Sequence, residues 1–136
     1  MGSRRKGREA ALQMLFQLDG TGLEAEDVIA GFWNHLSETR EGEEFATSIV
    51  SGYWNTQADV DKTISDVSHH WRIERMTKVD RNILRLSAYE LNNFEDIPRR
   101  VTLNEAVELA KRFGTEASPG FVNGILDRIA ADLGKS

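Results

Sequence analysis

Apolar residues in this chain recur three and four positions apart almost from end to end, and no stretch alternates apolar with polar residues beside hairpin turns. The first run, Ala11, Met14, Leu15 and Leu18, has the i, i+3, i+4, i+7 spacing of one helix face. A chain patterned in this way buries its apolar surface by packing helix on helix. The expected fold class is therefore all-α, a bundle of six or seven helices with no sheet.

The first helix starts at Ser3 or Gly7. Residues 24–37 carry Val28, Ile29, Phe32, Trp33 and Leu36, and residues 42–55 carry Phe45, Ile49, Val50, Tyr53 and Trp54. Each stretch can present one apolar face. Two further helices are expected over about 57–71, with Val60, Ile64, Val67 and Trp71, and about 78–94, with Val79, Ile83, Leu84, Leu86, Leu91 and Phe94. Thr102 and Glu105 match a capping box ahead of Leu103, Ala106, Val107, Ala110 and Phe113, and Gly114 suits the stop. Ser118 and Pro119 offer an N-cap and a pre-set first residue for a last helix with Phe121, Val122, Ile125, Leu126 and Ile129, ended near Gly134.

A chain of 136 residues, 40% of them hydrophobic, can build one core without staples, so residues 1–136 are expected to form a single domain. It contains no cysteine, which excludes disulfides, Cys-ligated zinc, iron–sulfur clusters and thiol nucleophiles. No apolar run approaches the ~20 residues of a membrane helix, and none at the N-terminus resembles a secretory leader. A cytoplasmic protein with no membrane contact is expected.

Charge is distributed unevenly. Arg4, Arg5, Lys6 and Arg8 crowd the first eight residues with no acid among them, so the rest of the chain is more acidic than the overall −5. A basic arm over residues 1–8 on an acidic body suits a local polyanion contact, and equally suits a solvated terminus. Cations near a helix N-terminus oppose its dipole, so the arm is expected to order fully when it meets an anion. Arg99 and Arg100, after Pro98 and between two expected helices, form a second basic pair that fits phosphate or plain solvent.

Conventional catalytic signals are missing. His35, His69 and His70 are the only histidines, and an adjacent pair on a helix diverges by about 100° instead of sharing a metal. No phosphate-binding Gly-rich loop and no nucleophile elbow are present. Glu105 and Glu108 can face together, but a cap and a solvated face explain them without an acid/base pocket. Gly124, after Asn123 inside the last helix, suggests close helix packing. Trp33, Trp54 and Trp71 sit at helical positions that suit the core more than a base-stacking platform, while for Phe121, at a helix start beside a flexible turn, core and stacking roles both remain open.

Taken together, Arg4-Arg5-Lys6-Gly7-Arg8-Glu9, Val79-Asp80-Arg81-Asn82-Ile83-Leu84-Arg85 with Ala88-Tyr89-Glu90-Leu91, Asn104-Glu105-Ala106-Val107-Glu108-Leu109-Ala110-Lys111 and Phe121-Val122-Asn123-Gly124-Ile125-Leu126-Asp127 resemble the NusB family of bacterial transcription antitermination factors. The resemblance spans nearly the whole chain, although residues 20–70 match in helical pattern alone. It implies a helical bundle of two subdomains that binds and does not catalyse, with no cofactor and no metal. NusB-like domains also precede certain ribosomal-RNA cytosine methyltransferases; with no room after Leu133-Gly134 for a catalytic domain, a free-standing factor is expected.

The implied partners are NusE, a ribosomal small-subunit protein, boxA-type single-stranded RNA, and the antitermination complex on RNA polymerase that supports ribosomal-RNA synthesis. The implied RNA contacts are Arg4, Arg5, Lys6, Arg8 and Phe121, extended by Arg99 or Arg100. The implied NusE face comprises Phe16, Glu74 and Asp80, where acids suit a basic partner. Phe16, Asp80, Ala117 and Gly120 depart from the residues familiar at those places. Thr77 and Asp80 could also simply cap a helix. A helical scaffold that binds protein without RNA is the competing reading, and an RNA-modifying enzyme lacks a visible site. Periodicity does not separate a buried stripe from a dimer stripe, so monomer and homodimer both fit.

Overall fold

The computed structural model describes residues 2–69 and 71–136. His70, one of the three histidines considered above, lies outside the described residues. The helices run in the order α1 (Gly2–Leu18), α2 (Ala25–Gly31), α3 (Glu43–Asn55), α4 (Gln57–Val67), α5 (Lys78–Asn93), α6 (Arg99–Phe113) and α7 (Ser118–Asp132). A π-helical turn covers Phe32–Leu36 and a 3-10 turn covers Ile73–Arg75. Among the described residues there is no strand, in agreement with the all-α expectation.

Helix α5 is the axis of the bundle, packing against α1, α3, α4, α6 and α7. Its Ile83, Leu84, Leu86 and Leu91 join Met14 and Leu15 of α1, Ile49 and Val50 of α3, Ile64 of α4, and Leu126 and Ile129 of α7 in one core. Burying each such side chain stabilises the fold by about 1.5–3 kcal/mol. Helices α6 and α7 form an antiparallel hairpin, closed at one end by Arg99 on Asp127. Gly42, at φ +78°, begins α3 where it crosses α1, and a Cβ there would fall 2.6 Å from the backbone nitrogen of Gly7. Only glycine combines that backbone angle with so close an approach.

Several expected boundaries move. The helix over 24–37 is two pieces: Ser37 N–H donates to Phe32 O, five residues back, and the widened turn keeps Phe32 and Trp33 buried but leaves Leu36 exposed. The helix expected to reach residue 71 stops at Val67, and Trp71 lies beyond it with 55% of its surface exposed. Trp54 is half-buried against the core and Trp33 is fully inside, so the core assignment holds for two of the three tryptophans. Phe113, placed on an apolar stripe, is exposed, with the Arg112 guanidinium stacked over its ring.

Helix α6 begins at Arg99 behind Pro98, three residues before the expected cap. Thr102 and Glu105 therefore form no capping box, because both side chains are engaged by other helices, and Arg99 and Arg100 stand in a first helical turn instead of a loop. Ser118 does not cap α7: its hydroxyl accepts from Thr115 N–H, closing the turn between α6 and α7. Gly114 ends α6 in an extended conformation, and Gly134 ends α7 in a left-handed one, where Lys135 N–H reaches back to Ala130 O.

Candidate nucleic-acid interface

The basic arm is helical from Gly2 onward, and carboxylates of the protein itself supply its anions. Arg8 is buried. Its Nε and Nη2 donate to Glu90 Oε1 and Oε2 of α5 at 2.8 and 2.7 Å, and the Thr102 hydroxyl of α6 donates to the same Oε2 at 2.5 Å. The arginine is 4% exposed and the glutamate not at all. This bidentate pair ties three helices together where water cannot compete. Arg8 thus stands apart from the other three cations, with no side-chain surface comparable to theirs.

One turn earlier, Arg5 donates to both oxygens of Glu105, at 3.1 and 2.7 Å. The hydrogen bond and charge of Arg5 hold the Glu105 carboxyl below its ordinary range, and the same contact raises Arg5. Arg4 donates to Asp96 at 3.1 Å, and that bond lowers the Asp96 carboxyl. Lys6 is exposed and makes no ion pair among the described residues. Gly2, Ser3, Arg4, Arg5 and Arg8 line an open groove of about 630 Å³ whose far wall is Val101 and Glu105 of α6. Arg4, Arg5 and Lys6 are the arm's exposed cations.

The remaining candidates split between the two ends of α6. Arg99 is engaged, donating to Asp127 at 2.7 Å and to Lys135 O at 3.3 Å, whereas Arg100 is exposed without an ion pair among the described residues. Both share the arm's end of the helix. Phe121 is half-buried in the first turn of α7, at the opposite end of the hairpin and thus about 20 Å away along α6. Its ring meets Trp71 edge to face, with centroids 6.1 Å apart.

On the expected protein-binding face, Phe16 is 42% exposed, and the Lys78 ammonium stands 4.5 Å from its ring centroid. Glu74 is exposed in the 3-10 turn. Asp80 is buried in the first turn of α5; its N–H donates to Thr77 Oγ1, and its own Oδ1 has no partner. Phe16 and Lys78 are therefore together, whereas Asp80 is withdrawn from solvent.

A second polar network secures the other end of α1. Arg81 and Asn82 donate to Asp19 at 2.6 and 2.8 Å, and Arg85 bridges Asp19 to Asp61, which also accepts from the Tyr53 hydroxyl. Burial would raise the Asp19 carboxyl, but the bonds from Arg81 and Asn82 and the charge of Arg85 outweigh it and hold it below its ordinary range. Arg81, Asn82 and Arg85 of the Val79–Arg85 stretch all belong to this clamp.

Glu90, Thr102, Lys78 and Trp71 were not among the residues the sequence singled out as sites. A signal existed for the first pair: Arg8 precedes Ala11, Leu12 and Leu15 by three, four and seven residues, and so lies on the apolar face of α1, where a charge requires a buried partner. Trp71 gave none, because its exposure follows from where α4 stops.

Comparison with known proteins agrees with this architecture. Residues 5–131 match the NusB family. The chain is 53% identical to the transcription antitermination protein NusB of Sorangium cellulosum, over 99% of this chain and 96% of that one. Its fold superposes on a solved NusB structure from T. maritima with a TM-score of 0.86 and 40% identity, covering 95% of this chain and 91% of the other. A structure of the antitermination factors NusB and NusE in complex with double-stranded RNA matches with a TM-score of 0.84 and 25% identity, over 97% and 98% of the two chains. Family match, identity and fold lead to one conclusion: this chain belongs to the NusB family of transcription antitermination factors.

Proposed function

We propose that the chain pairs with NusE and holds boxA-type single-stranded RNA on the first turns of α1, as a non-catalytic subunit of the antitermination complex that supports ribosomal-RNA transcription in the cytoplasm. One observation carries this reading: Arg4, Arg5 and Lys6 are exposed on a helix whose next turn is anchored by the buried Arg8–Glu90 pair. Cations on a fixed scaffold can meet successive phosphates without first being ordered. Support for NusE and RNA as classes of partner also comes from the matching structure in which NusB is seen with NusE and double-stranded RNA. Arg100 extends the same end, Phe121 offers an aromatic surface for a base, and Phe16 with Glu74 offers exposed side chains to NusE.

The competing scaffold reading draws on a specific observation as well. Arg4 and Arg5 already have carboxylate partners, so RNA phosphate must compete with Asp96 and Glu105 for them.

Fluorescence anisotropy with boxA and scrambled RNAs, with and without NusE and across a salt series, separates the two. Three phosphate contacts predict a log–log salt slope of about −2.1, at ~0.7 per contact on a single strand, and Lys6→Ala is expected to reduce it by about 0.7. Binding of NusE with no preference for boxA would establish the scaffold instead.

A further inference from the structure

We propose that Trp71 and Phe121 form a stacking step for an unpaired RNA base, with the bare backbone of Gly120 and Gly124 leaving room for the strand beside it. The inference rests on the RNA-binding reading above and adds to it a second aromatic residue and a distinct place on the surface.

Trp71 is a large apolar side chain left more than half open, and hydrogen bonds connect its backbone to Ser68. Its N–H donates to Ser68 O at 2.6 Å, and the buried Ser68 hydroxyl donates to its carbonyl at 3.0 Å. These bonds tie the backbone of Trp71 to Ser68 at the end of α4, and the indole projects just beyond that helix. The 82° angle between its plane and that of Phe121 makes an aromatic corner, the edge-to-face arrangement that is favourable between the two rings. An exposed π-face stacks an unpaired base irrespective of its identity.

The helix surface beside Phe121 is unusually bare. Gly120 precedes it, and Gly124 follows it by one turn; a Cβ at either would meet no atom within 4 Å. The expected explanation for Gly124, close packing of another helix, is thus absent. Glycine is unfavourable inside a helix, and where nothing in the protein uses the missing side chain, close approach by a ligand remains. Beyond Trp71, Arg72 and Arg75 are exposed and make no ion pair among the described residues; with Glu74 between them, this turn is net basic. Two aromatic rings, a side-chain-free track and unpaired cations match the recognition of a single strand through its bases and phosphates. Arg72 and Arg75, on the turn that follows Trp71, favour a polyanion over an apolar helix.

The test uses the full chain with NusE, a boxA-type RNA and a set of the same RNA carrying one abasic site at each position in turn. Trp71→Ala is expected to weaken binding about 5- to 150-fold, the range produced by losing one base–aromatic stack, with the salt slope unchanged because no counterion is involved. Trp71→Phe should recover most of the affinity, and one abasic position should erase the difference between wild type and Trp71→Ala. Gly124→Gln should weaken RNA binding without lowering Tm. If Trp71→Ala binds RNA within twofold of wild type while Lys6→Ala is impaired, the stacking step is wrong and the RNA-binding reading stands. If Trp71→Ala loses NusE and keeps RNA, the corner is a protein-docking surface. If wild type binds no RNA, both readings fall together.

Discussion

Lys6 and Arg8 stand two residues apart on one helix and do opposite work. Lys6 faces solvent with no ion pair among the described residues, whereas Arg8 is closed in by Glu90 and Thr102. Removing Arg8 leaves the Glu90 carboxylate buried and short of its partner, so Arg8→Ala should cost about 3–5 kcal/mol, a fall in Tm of roughly 10 °C or more by thermal melting. Lys6→Ala should stay within about 0.5 kcal/mol of wild type in the same melt while it weakens RNA binding. A joint alanine replacement of Arg4, Arg5, Lys6 and Arg8, which from sequence alone is expected to spare stability, mixes these two effects and is the wrong probe. The arm was legible as charge. Which of its charges lies inside was legible only by extending the apolar face of α1 backward across Arg8.

At the level of the element, periodicity located the seven α-helices found among the described residues, because an amphipathic stripe is a property of side-chain order and survives errors at the ends. Ends were less legible where a cap-forming residue had a better partner elsewhere. Thr102 has the chemistry of an N-cap, but a carboxylate on α5 takes its hydroxyl, and the helix extends back to the residue after Pro98. Helix α7 supplies a quantitative check on its open face. Since a Cβ at Gly124 touches nothing, Gly124→Ala should stabilise the protein by up to about 1 kcal/mol, read as a Tm higher by a few degrees in circular dichroism. A lower Tm would mean that the face is occupied after all.

Across the whole molecule, α1 is held at both ends by carboxylates: Glu105 on Arg5 near its start and Asp19 on Arg81, Asn82 and Arg85 just past its finish. Both carboxyls titrate below their ordinary values of 4.5 and 3.8. A lowered folded-state value means that the stabilisation is complete above the unfolded value and is lost as pH falls through the folded one. Tm should therefore hold from neutrality to about pH 5 and fall progressively below about pH 4. Asp19→Asn should lower Tm at pH 7 and flatten the acid limb; an unchanged limb in melts from pH 7 to 2 would remove Asp19 from the clamp. The bundle and its family were readable from the chain because helical periodicity and the longer motifs are local. The clamps were not, because Arg8 meets Glu90 across 82 residues and Arg81 meets Asp19 across 62, separations at which order along the chain carries no pairing information. The pinned helix also changes what the basic arm can distinguish. On a loose tail, three cations respond only to the density of negative charge nearby. On α1, Arg4, Arg5 and Lys6 are separated by a fixed rise of about 1.5 Å and a fixed turn of about 100° per residue. Under the proposed RNA contact, a strand that satisfied all three would follow one course across the helix, so the arm would select for the path of the RNA backbone as well as for its charge.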